Sequence, residues 1–379
     1  MKPIEPKTCQ PTRRLLNSTA ELEQICTKIT AHGQVAVDTE FVWERTFYPN
    51  LGIVQLALNE TEAWLLDMPA LQGKLEPLGK VLANPKIEKI IHDAKQDLTI
   101  LRQATGFYPR HIFDTRLAAG FIGPSATLSL LDSCSLFADL TLNKGETRSD
   151  WLKRPLSEKQ LEYALDDVLF LPLIRDQIMD QAKTLGRSEW IKTEMQLYDN
   201  PDIYDDPDTE QVYTKVKGIS RLHRRELAII CQLAAWRERK ARSRNRPRRH
   251  IIPDEALVKI AQNAPRNFDS LKEKCGLSPR ASQRYGEQLL QAVEKGLKTP
   301  ESNYPTATKR SRNPKTAEKS RNLMEKITAI AKELNLDPAL IATRKDIEKF
   351  LTSTDPKVRN SSPLMQGWRF KLLSQILQP

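Results

Sequence analysis

Acidic residues at two positions in an apolar strand pattern are the first sign of chemistry in this sequence. Asp38 and Glu40 lie two residues apart at the end of the run Gln34–Glu40. Because side chains alternate along a strand, this spacing directs both carboxylates to one face of a sheet. Two anions held this closely are costly unless a cation or solvent compensates their charge. The pair therefore indicates a site for divalent cations, although exposed acids at strand ends can have the same spacing.

A tyrosine and two further acids extend this set. Tyr163 and Asp167 lie four residues apart in LEYALDDVLFLP, which places the hydroxyl and the carboxylate on one face of a helix. The neighbouring Asp166 points elsewhere. Asp97 follows the strand-like segment IEKIIHDA at the predicted start of a helix, where the helix dipole alone would also favour an acid. The apolar packing of the first helix is expected from Leu161, Leu165 and Val168.

The elements that position these residues follow from hydrophobic periodicity and turn residues. Strands are predicted at 34–40, 51–58, 63–66 and 87–92. Helical patterns cover 70–82, 96–104, 115–121, 127–137 and 157–183. This order predicts a mixed α/β sheet covered by helices.

Charge is distributed unevenly along the 379 residues, whose net charge is +11. Residues 1–210 hold 23 Lys and Arg against 32 Asp and Glu, a net charge of −9, whereas residues 211–379 hold 36 against 16, a net charge of +20. A basic segment of this size is typical of proteins that neutralise phosphates, because counterion release drives sequence-independent binding to nucleic acids. Two merely solvated surfaces are the alternative interpretation.

Proline-bearing segments divide the chain. Residues 200–210 are acidic and residues 300–315 contain three prolines, and both read as linkers. We predict a catalytic domain over 1–210 with the acidic linker at its end, a helical domain over 211–299, a linker over 300–315 and a second helical domain over 316–379.

Cysteine usage and apolar runs bear on the compartment. The five cysteines are scattered, odd in number and never form a C-x-x-C pair, which argues against a disulfide framework and a thiolate zinc site. No apolar run approaches the ~20 residues that span a bilayer. We expect a soluble, cytoplasmic protein without membrane contact.

Together the motifs resemble the tyrosine-bearing branch of the DEDD exonuclease superfamily, and specifically the ribonuclease D family. The resemblance covers about residues 30–180 and is carried, in the family's order, by VDTEFVWERTFYPNLGIVQLAL, IIHDAKQDLTIL, IFDTRLAAGF and NKGETRSDWLKRPLSEKQLEYALDDVLFLP. The second motif offers Asp93 and Asp97 as ligands, and the family's spacing, with Leu98 following, favours Asp97.

The resemblance implies a ribonuclease H-like α/β domain that removes 5′-mononucleotides from RNA 3′ ends by a two-metal mechanism. Mg²⁺ and Mn²⁺ prefer oxygen ligands, and two such ions stabilise both the attacking and the leaving oxygen. Tyr163 would position or help deprotonate the attacking water, or else cap the core. The implied ligands of the two ions are Asp38, Glu40, Asp97 and Asp167.

Three neighbouring residues have two possible roles each. Asp114 in IFDTR is either an acid that orients the second motif or a helix N-cap. Phe41 and Trp43 follow the first motif closely enough to stack on a terminal base, and core packing explains either aromatic equally well.

The segment Leu222–Gly296 resembles the helicase-and-ribonuclease-D C-terminal (HRDC) domain, a small helical bundle, and residues 316–379 are a fainter match to a second copy. Residues 237–249 carry eight Lys and Arg and one acid in thirteen residues. Such a run is either a solvated helix face or a phosphate-binding surface, and its basic setting favours the second. The predicted contacts are Arg237, Arg239, Lys240, Arg242, Arg244, Arg246, Arg248 and Arg249.

The implied partner is structured RNA with a single-stranded 3′ end, such as precursor transfer RNA, and the implied state is a monomer. A 3′-5′ DNA exonuclease in repair is the alternative enzyme, but no G-x-x-x-x-G-K-[ST] phosphate loop of a helicase accompanies the motifs. A non-catalytic nucleic-acid-binding protein is the alternative from another class. That interpretation requires a missing ligand, and all four acids are present.

Overall fold

The computed structural model describes residues 14–123, 125–142, 145–146, 149–305 and 314–377. Part of the predicted linker 300–315, residues 306–313, lies outside the described residues. Two compact units are present. The first contains residues 14–42, 51–205 and 314–377, and the second contains residues 43–50 and 206–305. No helix in these ranges is both long and apolar enough to cross a membrane.

A six-stranded mixed sheet forms the centre of the first unit and confirms the predicted fold class. The strand order is β1-β4-β3-β2-β5-β6, with β1 parallel to β4, β2 and β6 parallel to β5, and β3 antiparallel to β4. The strands are β1 Leu15–Leu16, β2 Gln34–Val42, β3 Asn50–Asn59, β4 Glu62–Asp67, β5 Glu88–Ile91 and β6 Ile112–Asp114. The predicted strands correspond to β2, β3, β4 and β5, and the short β1 and β6 were not predicted.

Helices cover both faces of this sheet. The helices that follow or connect the strands are α1 Thr19–His32, α2 Glu76–Ala83, α3 Lys95–Thr105, α4 Thr115–Ala119, α5 Leu130–Ala138, α6 Glu158–Leu169, α7 Leu171–Thr184 and α8 Ser188–Met195. The single helix predicted over 157–183 is two helices, because Pro172 in the first turn of α7 lacks the N–H that would continue α6. Ser157 caps α6 by accepting from the Gln160 amide at 3.2 Å.

Alternation along β2 assigns its residues to two cores. Ala36 lies in the core that contains α6, α7 and α8, whereas Val35 and Val37 lie in the core that contains α1, α2 and α3. By the same alternation Asp38 and Glu40 lie on the face covered by α6.

The segment predicted as a second helical domain, residues 316–379, packs within the first unit over its described residues 316–377. Its helices are α14 Pro314–Glu333, α15 Pro338–Ile341, α16 Arg344–Thr352, α17 Pro356–Asn360 and α18 Gly367–Leu373. Trp368 in α18 is 5% exposed, stacks on Trp190 at 5.0 Å between ring centroids, and meets Phe121 edge-on at 5.4 Å. The buried Glu194 accepts from Trp368 Nε1 at 3.1 Å and forms a bidentate ion pair with Arg369. This segment therefore shares a hydrophobic core with the sheet.

The second unit is an all-helical bundle, as predicted for this region. Its helices are α9 Arg224–Ser243, α10 Arg248–Ile251, α11 Asp254–Asn263, α12 Phe268–Cys275 and α13 Pro279–Leu297. The segment 43–50 belongs to this unit: Phe47 lies in the bundle's core, and the backbone N–H groups of Phe47 and Tyr48 both donate to Asn245 Oδ1 at 3.0 Å. The predicted domain boundaries stay predictions.

Candidate active site

Three predicted acids converge in the first unit. Carboxylate oxygens of Asp38, Glu40 and Asp167 all lie within 4.8 Å of one another. The period of two along β2 supplies the first pair, and α6, which packs against β2, supplies the third acid. Three hard oxygen donors at this separation match the ligand type that Mg²⁺ and Mn²⁺ take in proteins.

Asp97 reaches the same region from the first turn of α3. Its Oδ1 accepts a hydrogen bond from the Thr39 hydroxyl, and Thr39 lies between Asp38 and Glu40 on β2. The other aspartate of the motif, Asp93, adopts a positive φ of 63° and pairs with Arg116. Of the two candidates, the structure therefore places Asp97 beside the acidic strand. Thr39 was not singled out from the sequence, since its side chain alternates to the face away from the two acids.

The pKa values of the acids are raised, because burial and mutual repulsion disfavour their charged forms. Burial, followed by the charges of Asp97, Asp167 and Glu40, raises the pKa of Asp38 well above its usual range. Burial and the charges of Asp167 and Asp97 raise the pKa of Glu40 to about 8. Such a cluster is stabilised by bound cations, because cations neutralise the like charges that raise these values.

The pKa values of Asp167 and Asp97 are also raised, but in each case a hydrogen bond to the carboxylate opposes the rise. Burial raises the pKa of Asp167 to about 7, with Asp166 adding to the rise and the Tyr163 hydrogen bond opposing it. Burial also raises the pKa of Asp97 to about 6, against the opposing hydrogen bond from Thr39. Tyr163 is thus directed at the cluster, as its spacing of four residues from Asp167 predicted. Its ring lies 6.2 Å from that of the buried Trp151.

Asp114 combines the two roles that the sequence left open. It is 3% exposed and caps α4 by accepting from the Arg116 and Leu117 amides at 2.9 and 3.1 Å. Its carboxylate also accepts from the amides of Asp93 and Ala94, at 3.2 and 3.0 Å, immediately before α3. Asp114 therefore fixes the backbone immediately before α3, the helix that carries Asp97.

A tyrosine that the sequence did not indicate completes this arrangement. The Tyr198 hydroxyl donates to Asp114 Oδ2 at 2.6 Å. Burial and the charge and hydrogen bond of Asp114 raise the pKa of Tyr198 far above its usual range, so the phenol stays protonated and keeps donating. No local pattern marks this contact, because 84 residues separate the partners.

Asp114→Asn is expected to weaken divalent-metal affinity roughly tenfold, because residues that orient a ligand typically contribute this much. The amide would present an N–H to the backbone N–H groups of Asp93 and Ala94. Calorimetric titration with Mg²⁺ measures the effect as a raised dissociation constant. Asp199→Asn is the matched control, since Asp199 accepts from the His111 amide at 2.8 Å. An equal metal dependence for the two variants would contradict a positioning role.

The predicted aromatic contacts occupy different places. Phe41 is half-buried within β2, in the first unit. Trp43 belongs to the second unit, is 52% exposed, and donates through Nε1 to the Phe47 carbonyl at 2.9 Å. Their contact with a base stays a prediction.

The basic run divides into paired and unpaired side chains. Arg237 is 5% exposed and donates to Asp254 Oδ1 at 2.7 Å and to the Ile252 carbonyl at 2.9 Å. Arg242 and Arg248 both pair with Glu238, which is 1% exposed. Within the described residues no ion pair involves the remaining predicted contacts, which are Arg239, Lys240, Arg244, Arg246 and Arg249.

Two protein-family models match the chain, one in each of its two halves. The 3′-5′ exonuclease model matches residues 14–183, and the HRDC domain model matches residues 226–293. The ribonuclease D of Desulfotalea psychrophila is 39% identical over 366 residues, which cover 96% of this chain and 97% of the relative. The ribonuclease D of Bartonella henselae is 34% identical, over 96% of this chain and 88% of that protein.

Two solved structures resemble this chain over most of its length. RNase D of Escherichia coli, described as an exoribonuclease involved in structured RNA processing, aligns with a TM-score of 0.85 and 29% identity over 96% of this chain and 97% of its own. The catalytic core of RRP6 from Trypanosoma brucei has a TM-score of 0.60 at 21% identity, over 78% of this chain and 81% of its own, and shares the fold.

Proposed function

The chain belongs to the ribonuclease D family and is a 3′-5′ exoribonuclease, and from this premise we propose that its acidic cluster hydrolyses the terminal phosphodiester bond with two divalent ions. The observation that carries this proposal is the convergence of carboxylate oxygens of Asp38, Glu40 and Asp167 within 4.8 Å. Enzymes of this fold are metal-dependent, and the donor set fits hard cations. The number and identity of the ions, Mg²⁺ or Mn²⁺, belong to the proposal.

The proposed ligands are Asp38, Glu40, Asp97 and Asp167. When bound, two divalent ions supply a lowered pKa for the attacking water and neutralise negative charge that develops on the phosphoryl oxygens. Three of these carboxylates are fixed relative to one another, because the elements that carry them, β2 and α6, pack together. Tyr163, hydrogen-bonded to Asp167, would orient the attacking water through its hydroxyl.

Substrate choice is the finer part of the proposal. The chain acts on RNA, as its family does. We propose structured precursors with a single-stranded 3′ end, transfer RNA precursors among them, as the substrates of a monomeric cytoplasmic enzyme. Two features support this choice: the similar Escherichia coli enzyme is described as processing structured RNA, and residues 211–379 carry a net charge of +20.

The full chain is expected to release 5′-mononucleotides from a 3′-labelled single-stranded RNA only when Mg²⁺ or Mn²⁺ is present. Chelator should stop release, because the clustered carboxylates then lack their counter-ions. A 3′-end buried in a duplex and a 3′-phosphorylated RNA are the matched controls and should resist. Single-stranded DNA and a precursor transfer RNA complete the assay. Metal-independent release would contradict the mechanism, and faster hydrolysis of DNA than of RNA would favour the DNA exonuclease alternative.

A further inference from the structure

The second unit contains a cleft of about 550 Å³ that the proposed chemistry does not use. One wall is the turn Val212–Lys215 with the following Lys217, another is α9, and the third is the segment that leads through α10 into α11. Its volume lies in the range of about 300–1,000 Å³ that is usual for ligand sites. The cleft is therefore large enough to receive part of a polymer chain.

Two closed ion pairs form part of the cleft lining. Arg237 is held by Asp254 at 2.7 Å, and Arg248 is held by Glu238 through bonds of 2.5 and 2.7 Å. Burial on its own raises the pKa of Glu238, but the hydrogen bonds and charges of Arg248 and Arg242 outweigh it and lower the pKa. The two acids are already neutralised by Arg237, Arg248 and Arg242, so these side chains shape the lining and leave little charge for a ligand.

Three cations that line the same cleft lack such partners. Lys215, Lys217 and Arg249 are exposed, and within the part of the chain that the structure describes none of them forms an ion pair. Glu255 is the one acid of the lining outside the two closed pairs. The unpaired charge of the lining is thus three cations against one anion, which favours an anionic ligand.

The uncharged part of the lining narrows the class of ligand. It consists of Val212, Ala234, Pro247 and Pro253, so the lining residues, all of them described, include no aromatic side chain on which a base could stack. Base stacking on aromatic rings is a usual source of affinity for unpaired nucleotides. A site with cations and without rings therefore contacts phosphates and sugars, whose spacing is the same in every sequence.

We propose that Lys215, Lys217 and Arg249 bind the phosphodiester backbone of the RNA substrate in this cleft, without regard to base sequence. The proposal rests on the proposed function, because that function supplies the polyanion. The proposal also removes two residues from the predicted RNA contacts, because Arg237 is paired with Asp254 and Arg248 with Glu238. An acidic peptide is a chemically different ligand, and the following test distinguishes it.

The test compares two triple variants of the full chain. One is Lys215→Ala, Lys217→Ala, Arg249→Ala, and the control carries Arg280→Ala, Arg284→Ala and Lys295→Ala on α13, three exposed cations outside the cleft. Binding of fluorescent single-stranded RNA is measured in chelator, so that no hydrolysis occurs, over a series of KCl concentrations. Circular dichroism melting verifies that both variants fold.

Loss of three phosphate contacts lowers the slope of log affinity against log salt by about 2 for single-stranded nucleic acid. We expect this change, with at least about a tenfold loss of affinity at low salt, in the cleft variant alone, and equally for poly(A) and poly(U). Equal losses in both variants would overturn the proposal, since general charge would then explain binding. Displacement of RNA by poly-glutamate at equal charge concentration would also overturn it in favour of an acidic peptide.

Hydrolysis of a trinucleotide separates this proposal from the proposed function. So short a substrate has few phosphates to occupy the cleft, and its hydrolysis with Mg²⁺ by the parent chain therefore reports on the acidic cluster alone. Absence of hydrolysis by the parent chain would refute the proposed function and leave the binding result intact. Normal hydrolysis together with unchanged RNA binding by the cleft variant would refute the cleft proposal alone.

Discussion

Asp38→Asn is expected to lower the rate of mononucleotide release at least about 10³-fold while raising the melting temperature of the protein in chelator. The rate falls because the amide removes an anionic oxygen donor from the centre of the cluster. The melting temperature rises because, without metal, Asp38 is a half-buried acid surrounded by the charges of Asp97, Asp167 and Glu40.

The size of the gain in stability depends on pH. In the folded chain without metal, the pKa values of Glu40 and Asp167 are raised to about 8 and about 7. The folded state therefore binds more protons than the unfolded state between about pH 4 and pH 8, and stability falls as pH rises through this window. The advantage of Asp38→Asn should be greatest near pH 8 and disappear near pH 4, where the acids are protonated in both states.

Calorimetric or fluorescence melting at pH 5 and pH 8, with chelator and with Mg²⁺, measures the effect. Mg²⁺ should stabilise the parent more at pH 8 than at pH 5, because protons compete with the metal for the same oxygens. Asp93→Asn is the matched control, since Asp93 is an exposed acid paired with Arg116 outside the cluster. Full activity in Asp38→Asn, or a lower melting temperature in chelator, would refute the assignment of Asp38.

Trp368→Ala is expected to destabilise the exonuclease unit by about 3–5 kcal/mol, the usual cost of truncating a buried aromatic residue. The indole is 5% exposed, stacks on Trp190, contacts Phe121 and donates to the buried Glu194. Its loss leaves a cavity next to a carboxylate that has lost one donor. For a unit of this size the change corresponds to a decrease of roughly 6–20 °C in the melting temperature.

The informative measurement is the temperature at which metal-dependent RNA hydrolysis is lost. If residues 314–377 formed an independent domain, Trp368→Ala would leave that temperature unchanged, whereas a shared core lowers it together with the loss of circular dichroism. Phe370→Ala is the control on the same helix, because Phe370 is 40% exposed and should cost about 1 kcal/mol or less. Equal effects of the two substitutions would contradict the docking described for α18.

The proximity of the acids on β2 and α6 could be predicted because both placements depend on local periodicity, whereas their catalytic roles stay a proposal. Asp38 and Glu40 follow the period of a strand, and Tyr163 and Asp167 follow that of a helix, so short spacings place both pairs. The fold class follows from the order of strands and helices. The sequence did not indicate β6, since a strand of three residues has too little pattern to detect, and yet it ends in Asp114.

The less predictable features depend on long-range packing or on a misread pattern. Arg237 was predicted as an exposed cation, but it lies four residues after Leu233 and four before Ala241 on the buried stripe of α9. The spacing of Arg237 from Leu233 and Ala241 therefore indicated burial, but the high density of charge in residues 237–249 favoured the interpretation of an exposed surface. The docking of Trp368 on Trp190 joins residues 178 positions apart, and no local pattern encodes such a contact.

The return of residues 314–377 to the sheet also bears on how the molecule is made. A ribosome completes the strands and α1 to α8 first, and must then translate roughly 170 further residues, 206–377, before Trp368 can reach Phe121 and Trp190. At about 5–20 residues per second this interval is on the order of 10–30 s. Throughout it, the nascent nuclease presents an uncovered apolar surface, which makes it a natural client for chaperones that act during translation.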